Sequence, residues 1–273
     1  MDKVRAEHTF LDLSDYARPA ARWLVRRLLP TRVTPIHVTL AFTGVGLAAA
    51  LLFAFQRWLP LAGGLLLLKS LLDAADGALA RARQHPSRVG RFLDSVCDFG
   101  VMAAVFGGIA FRAWLETGQA YHWGVAAAAL LCATLQGSVY NYYYVRYREE
   151  TGGDRTSRVD ESAPGGYAWD NPVLLRLLYA LYRLIYGWQD WLMARIDRWA
   201  APGGNRLTPS FLTLVSVLGL GTQLAVIALC AAIGQAAWAP WLFVTLFNVY
   251  WLLVIAIRRL SRHSTASHNT EVY

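Results

Sequence analysis

Six stretches of the chain are apolar for about the twenty residues that an α-helix needs to cross the hydrocarbon core of a bilayer. The first starts at Thr34-Pro35 and runs to about Phe55. Gln56-Arg57-Trp58 and Pro60 then turn the chain, and the second stretch runs from about Leu61 to Ala80. The others cover about Phe92–Phe111, Trp123–Tyr144, Pro209–Ile233 and Trp238–Ile257. Two further segments are amphipathic. Before Pro30, Leu11, Leu13, Tyr16, Ala20, Trp23, Leu24 and Leu28 alternate with Arg18, Arg22, Arg26 and Arg27, which reads as a helix lying in the interface. Pro172–Trp199 carries Arg176, Arg183 and Asp190 at seven-residue spacing among Leu, Tyr and Trp, and reads the same way. The pattern predicts an all-α, polytopic integral membrane protein with six transmembrane helices. Its parts are an amphipathic cytoplasmic segment (1–32), a six-helix transmembrane domain (33–257) with a cytoplasmic insertion at 146–207, and a polar cytoplasmic tail (258–273).

Local signals refine this layout. Arg32-Val-Thr34-Pro35-x3-Thr39-Leu40 recurs as Arg206-Leu-Thr208-Pro209-x3-Thr213-Leu214, and both copies read as one helix-start device, Thr as N-cap and Pro at N1. Gly107-Gly108 suits close helix packing, and Tyr140-Asn-Tyr-Tyr-Tyr144-Val-Arg146-Tyr147, with five tyrosines, reads as an aromatic belt at the interface. Basic residues cluster at Arg18–Arg32, Arg81–Arg91, Arg146–Arg206 and Arg258–Arg262, whereas the opposite ends of the spans hold only Arg57 and Arg112. The positive-inside rule makes the rich side, with both termini, cytoplasmic.

Four acids break the apolar pattern: Asp73 and Asp76 in the second span, Asp94 and Asp98 in the third. A carboxylate at membrane depth costs about 2.5 kcal/mol or more, so each is a candidate functional group. At about 100° per residue Asp73 and Asp76 stand roughly 60° apart on a helix, and Asp94 and Asp98 about 40°. Arg81–Arg91, with Pro86, is polar enough to be the turn between two antiparallel helices, which then point four carboxylates at one another. A shared cation would cancel their repulsion, and oxygen ligands suit Mg²⁺, Mn²⁺ or Ca²⁺. Gly77 and Ala80 leave room for a ligand near the backbone, and Arg81 offers a fork for phosphate. Lys69 lies four residues before Asp73, on the same face. It reads as a charge partner for Asp73 or a substrate phosphate, or as a lysine in a polar cavity.

Asp73-x2-Asp76-Gly77-x2-Ala80-Arg81-x8-Gly90-x3-Asp94-x3-Asp98 resembles the signature of the CDP-alcohol phosphotransferases at every motif position. The resemblance implies transfer of a phospho-alcohol group from a CDP-alcohol to an acceptor hydroxyl, with release of CMP, as in phospholipid biosynthesis. It implies Mg²⁺ or Mn²⁺ held by Asp73, Asp76 and Asp94, with Asp98 as a shared ligand or as the base on the acceptor. Gly77, Ala80 and Arg81 would line the cytidine diphosphate, and Gly90 would keep room at the helix turn. The implied partners are CDP-diacylglycerol, an alcohol acceptor, membrane lipids and a second copy in a homodimer. For an anionic acceptor, Lys69, Arg91, Arg146 and Arg155 are the candidate cations.

Composition supports the membrane class: 56% of the 273 residues are hydrophobic and 16% charged, and the mean hydropathy is +0.32. The net charge of +8 suits anionic lipid heads and substrates, and no compact basic motif supports nucleic-acid binding. Cys97, Cys132 and Cys230 lie in apolar runs and form no disulfide framework. Met1–Arg32 is polar and mixed in charge, without the pattern of a cleaved signal peptide. Lysine is confined to Lys3 and Lys69 against many arginines, a composition that fits a GC-rich bacterial genome and thus a bacterial cytoplasmic membrane. Two other readings compete. A UbiA-type prenyltransferase would carry a second acid-rich motif, and no span after Tyr140 offers one. An ion-coupled transporter would place charge in paired halves, whereas these acids sit on one helix pair.

Overall fold

The structure, a computed structural model, describes residues 6–153, 165–202, 204 and 206–268; Arg155 lies outside them. The described residues form helices and no strands. After a single turn at Ala6–His8 the helices are α1 (Arg18–Leu28), α2 (Pro35–Ala54), α3 (Leu59–Ala82), α4 (Arg88–Thr117), α5 (Tyr121–Glu150), α6 (Pro172–Tyr182), α7 (Trp188–Ala200), α8 (Pro209–Ser216), α9 (Leu220–Ala232), α10 (Trp238–Val244) and α11 (Leu246–His268). A five-residue π turn joins α6 to α7.

Among the described residues five helical stretches are long and apolar enough to cross a membrane: α2, α4, α5, α8 with α9, and α10 with α11 as far as Leu260. The second predicted span is α3. Its 24 residues give a length of about 36 Å, enough to cross, while Lys69, Asp73 and Asp76 lower its apolarity. The ends of α4 and α5 stay helical beyond the apolar runs, to Arg88 and Thr117 in α4 and to Tyr121 and Glu150 in α5, so both helices exceed the predicted spans.

Both Thr-Pro signals act as helix starts. Thr34 Oγ1 accepts from the His37 N–H at 3.3 Å, and Thr208 Oγ1 from the Phe211 N–H at 3.2 Å. The α3 helix runs antiparallel to α2, and Gly63 lets it approach α9, where an added Cβ would stand 2.8 Å from the Ala228 carbonyl oxygen. Of the glycine pair on α4 only Gly108 is needed for packing: a Cβ there would come 2.5 Å from the Ala50 oxygen, while Gly107 has open space.

Three expectations are corrected. The fifth and sixth spans are each broken, at Val217–Gly219 and at Thr245. Buried glutamines on neighbouring turns take up carbonyls at the breaks, as backbone at membrane depth requires. Gln223 Nε2 donates to Leu218 O and Ala133 O, and Gln136 Nε2 donates to Phe243 O and the Asn248 amide oxygen. An isolated Gln in an apolar run shows nothing of this. The N-terminal helix starts only at Arg18; Leu11, Leu13 and Tyr16 are outside it. The Ser14 N–H and hydroxyl bond the Asp12 carboxylate, a local turn that competes with helix. Finally, Tyr142, Tyr143, Tyr144 and Tyr147 are buried, so this tyrosine run is packed inside the protein and is not an interfacial belt.

Arg83 ties α1 to the end of α3. Its guanidinium donates to the carbonyls of Leu28, Thr31 and Val33, closing the C-terminal end of α1. Asp197 on α7 accepts from Arg146 on α5 and from Arg258 Nε on α11 at 3.1 Å. Arg146, one of the expected acceptor cations, is thus held by Asp197 and Glu150.

Candidate active site

The apolar faces of α3 and α4 pack into the bundle, and the same helical register turns their acids toward each other. Asp73, Asp76 and Asp94 each offer an oxygen, and these atoms all lie within 4.8 Å of one another. Asp94 Oδ1 is buried without a hydrogen-bond partner among the described residues. An unpaired buried carboxylate oxygen is costly, and three convergent hard oxygen donors fit a divalent cation. The residues present therefore fit the expected metal. Asp98 stands apart: Lys69 Nζ donates to its Oδ1 and, at 2.7 Å, to Asp73 Oδ2. Lys69 is 1% exposed and lies 4.4 Å from the centre of the Phe42 ring. The structure thus places three of the four acids in one group and the fourth on the lysine at its edge.

Thr39 is a site residue that motif reasoning missed. Its hydroxyl donates to Asp76 Oδ2 at 2.6 Å, fixing that carboxylate from the facing helix. The repeated Thr-Pro segment contains it, yet the repeat reads as a helix start and gives no hint that Thr39 reaches an acid. One turn beyond Asp76, the Arg81 guanidinium lies over Gly77; an added Cβ there would stand 3.3 Å from Nη1. Gly77, Ala80, Arg81 and Gly90 all line one cleft with the acids. At Gly90 an added Cβ would make only ordinary contacts, 3.5 Å from Ser87 and 3.9 Å from Ile36. Any room it preserves is room for a ligand.

The cleft holds about 1360 Å³ and is walled by α1, α3, α4, α5, the start of α9 and the segment before α6. That last wall is pinned to the α3–α4 turn. The Asp170 carboxylate accepts from Ser87 Oγ at 2.6 Å and from the N–H groups of Arg88 and Tyr167 at 3.0 Å. Trp169 Nε1 donates to Pro86 O at 2.9 Å, and its ring lies 4.2 Å from that of His85. Burial alone would raise the Asp170 carboxyl, but the bonds from Ser87 and the backbone hold it below the usual carboxylate range. A depressed carboxyl stabilises the fold above its unfolded value and loses that effect as pH falls. Asp170→Asn should therefore melt lower than the unsubstituted protein near pH 7. The gap should close as pH drops below about 4, as read by thermal unfolding in detergent across pH.

Residues 29–194 match the family model described as CDP-alcohol phosphatidyltransferase. The chain belongs to the CDP-alcohol phosphatidyltransferase family. Within that family it is 34% identical over 163 residues to the bifunctional IPC transferase and DIPP synthase of Thermococcus kodakarensis, covering 59% of this chain and 35% of that protein. It is 33% identical over 135 residues to the phosphatidylinositol phosphate synthase of Mycobacteroides abscessus, covering 48% and 57%. To the archaetidylinositol phosphate synthase of Pyrococcus horikoshii it is 36% identical over 127 residues, covering 45% and 59%. The chain thus spans between 35% and 59% of the length of these relatives. Among solved structures it is similar to the Mycobacterium tuberculosis phosphatidylinositol phosphate synthase with CDP-DAG bound, at 24% identity and a TM-score of 0.35, covering 82% of this chain and 94% of that one. The family match takes in all four acids, Lys69, Thr39 and Asp170. It leaves out all of α1 and everything after 194.

Proposed function

We propose that this family member transfers a phosphatidyl group from CDP-diacylglycerol to the hydroxyl of a small polar alcohol and releases CMP. The observation that carries this reading is the group formed by Asp73, Asp76 and Asp94 on the wall of a cleft large enough for two substrates. Ordinary small-molecule sites hold about 300–1,000 Å³. Asp73, Asp76 and Asp94 would hold Mg²⁺ or Mn²⁺, which when bound neutralises diphosphate oxygens. Gly77 and Ala80 let the cytidine diphosphate approach the backbone of α3, and Arg81 faces its phosphates. Asp98 accepts the proton of the acceptor hydroxyl. The acceptor oxygen forms a bond to the phosphorus nearer the lipid, the bond from that phosphorus to the CMP oxygen breaks, and CMP leaves with the electron pair. The Lys69 ammonium orients Asp98 and offsets the charge of Asp73. The names of the relatives favour a phosphorylated inositol as acceptor. The test is CMP release from CDP-diacylglycerol against a panel of labelled alcohols that includes inositol phosphate, inositol, glycerol phosphate and serine. Release with none of them, at any Mg²⁺ or Mn²⁺ concentration, would remove this reading.

The site opens to the cytoplasm of a bacterial cell in this proposal, because the arginine-rich ends of the helices lie on its side. A cysteine at Glu149 and one at Gln119 should accordingly label from opposite faces of the membrane with an impermeant maleimide. Labelling of both from one face would overturn the arrangement.

A further inference from the structure

The tyrosine run on α5 has a partner outside the family match. From Glu7 to Ser14 exposed and half-buried residues alternate: Glu7, Thr9, Leu11 and Leu13 face out, while His8, Phe10, Asp12 and Ser14 face the protein. Each inward position is received. The Tyr147 hydroxyl donates to His8 O at 3.0 Å. Phe10 meets Tyr144 and Tyr147 edge-on, with ring centres 5.8 and 6.0 Å apart. The Tyr140 hydroxyl donates to Asp12 Oδ2 at 2.6 Å. Tyr140, Tyr144 and Tyr147 lie three, four and seven residues apart, hence on one face of α5. The next residues dock at the break between α8 and α9. The Leu13 N–H donates to Ser216 Oγ at 3.0 Å, and Ser14 fills a notch that only glycines leave open. A Cβ on Gly219 would stand 2.4 Å from Ser14 Cβ, and one on Gly221 would stand 1.8 Å from Ser14 O.

Position gives this contact a role. Ser14, Asp15, Tyr140 and Gly221 all line the cleft that holds the acids. Asp15 then pairs with Arg18, and α1 follows, with Arg18, Arg22 and Arg26 on the same cleft. We infer that residues 8–14 are a docked strap that closes the cleft between α5 and α9 and holds the arginine face of α1 over it, with Asp12 and Tyr140 as positioning residues for substrate capture. The role in capture rests on the transfer reading above; the docking does not.

Two experiments separate these. In a chain whose Cys97, Cys132 and Cys230 are replaced by alanine, Thr9→Cys and Ser14→Cys are labelled with a water-soluble maleimide. The docked strap leaves Thr9→Cys reactive and protects Ser14→Cys, and Gly221→Val, which displaces Ser14, removes that protection. Equal labelling of the two cysteines in the otherwise unsubstituted chain would overturn the strap. Kinetics of CMP release then test positioning. Asp12→Ala and Tyr140→Phe should each raise KM for CDP-diacylglycerol about tenfold, the scale of one hydrogen bond to a charged group, with kcat changed less than KM. The double variant should be no worse than Asp12→Ala alone, because that change already removes the Tyr140 bond along with the two from Ser14. Asp12→Asn, which keeps an oxygen for the Tyr140 hydroxyl, should recover most of the loss. Unchanged KM in Asp12→Ala and Tyr140→Phe would overturn the positioning role. Protection of Ser14→Cys in a protein that releases no CMP would remove the transfer reading and support the strap interface.

Discussion

Asp94→Asn is expected to lose Mn²⁺ binding and CMP release together, whereas Asp98→Asn keeps most of its Mn²⁺ affinity and loses turnover. The two residues sit one helical turn apart on α4, and their surroundings separate them. Asp94 converges with Asp73 and Asp76, and its buried Oδ1 has no hydrogen-bond partner among the described residues. Its amide analogue would remove one negative donor from a group of three and place a neutral amide in the ligand position. Metal affinity and nucleotide affinity then fall in step. Asp98 has its Oδ1 engaged by Lys69 and lies outside that group. Asn at this position keeps the shape and an acceptor for Lys69 but cannot take a proton, and loss of a general base costs about 10²–10⁴-fold in rate. Calorimetric titration of Mn²⁺, beside CMP-release rates, reads both effects. An equal loss of Mn²⁺ affinity in the two variants would make Asp98 a ligand, and turnover near the wild-type rate in Asp98→Asn would end its role as base.

The motif residues were legible because their chemistry is local. Helical phase alone puts Asp73 beside Asp76 and Asp94 beside Asp98, and the apolar flanks show that these acids lie within spans. The split of four acids into three and one does not follow from their spacing; only the family resemblance suggests it, and leaves Asp98 as either a shared ligand or the base. The split depends on Lys69 reaching across from α3 to α4, and sequence spacing shows only that Lys69 shares a face with Asp73. Thr39 was hidden for the same reason, since its partner Asp76 is 37 residues away. The broken fifth and sixth spans were hidden by their composition. Gly219 and Thr245 are tolerated in membrane helices, and Gln136 and Gln223 show their role only once neighbouring helices are placed. Tyrosine at a span end is ordinarily an interfacial residue, and here tertiary packing overrides that tendency by laying the N-terminal segment against it.

Lys69→Met is expected to be the most destabilising single change in the transmembrane region. The ammonium is 1% exposed and is held by Asp73, Asp98 and the face of Phe42. Methionine fills a similar volume, so cavity formation contributes little. What remains is electrostatic. Two carboxylates at membrane depth lose their shared counter-ion while the third and fourth acids stand nearby. Breaking a buried pair by removing one partner costs about 3–5 kcal/mol, because the other charge stays buried and uncompensated. Thermal unfolding in detergent without divalent ions should show this as a large drop in Tm. Two further outcomes are tied to the same cause. Mn²⁺ should narrow the gap between Lys69→Met and the unsubstituted protein, since an added cation offsets part of the excess negative charge. The double variant Lys69→Met, Asp98→Asn should melt above Lys69→Met alone, because it removes one of the two stranded charges, while CMP release stays absent. If Lys69→Met melts with the unsubstituted protein, or if removing Asp98 as well lowers Tm further, charge balance is not what holds this helix pair together. The acids would then have to be stabilised chiefly by Thr39 and by the dipoles of the surrounding backbone.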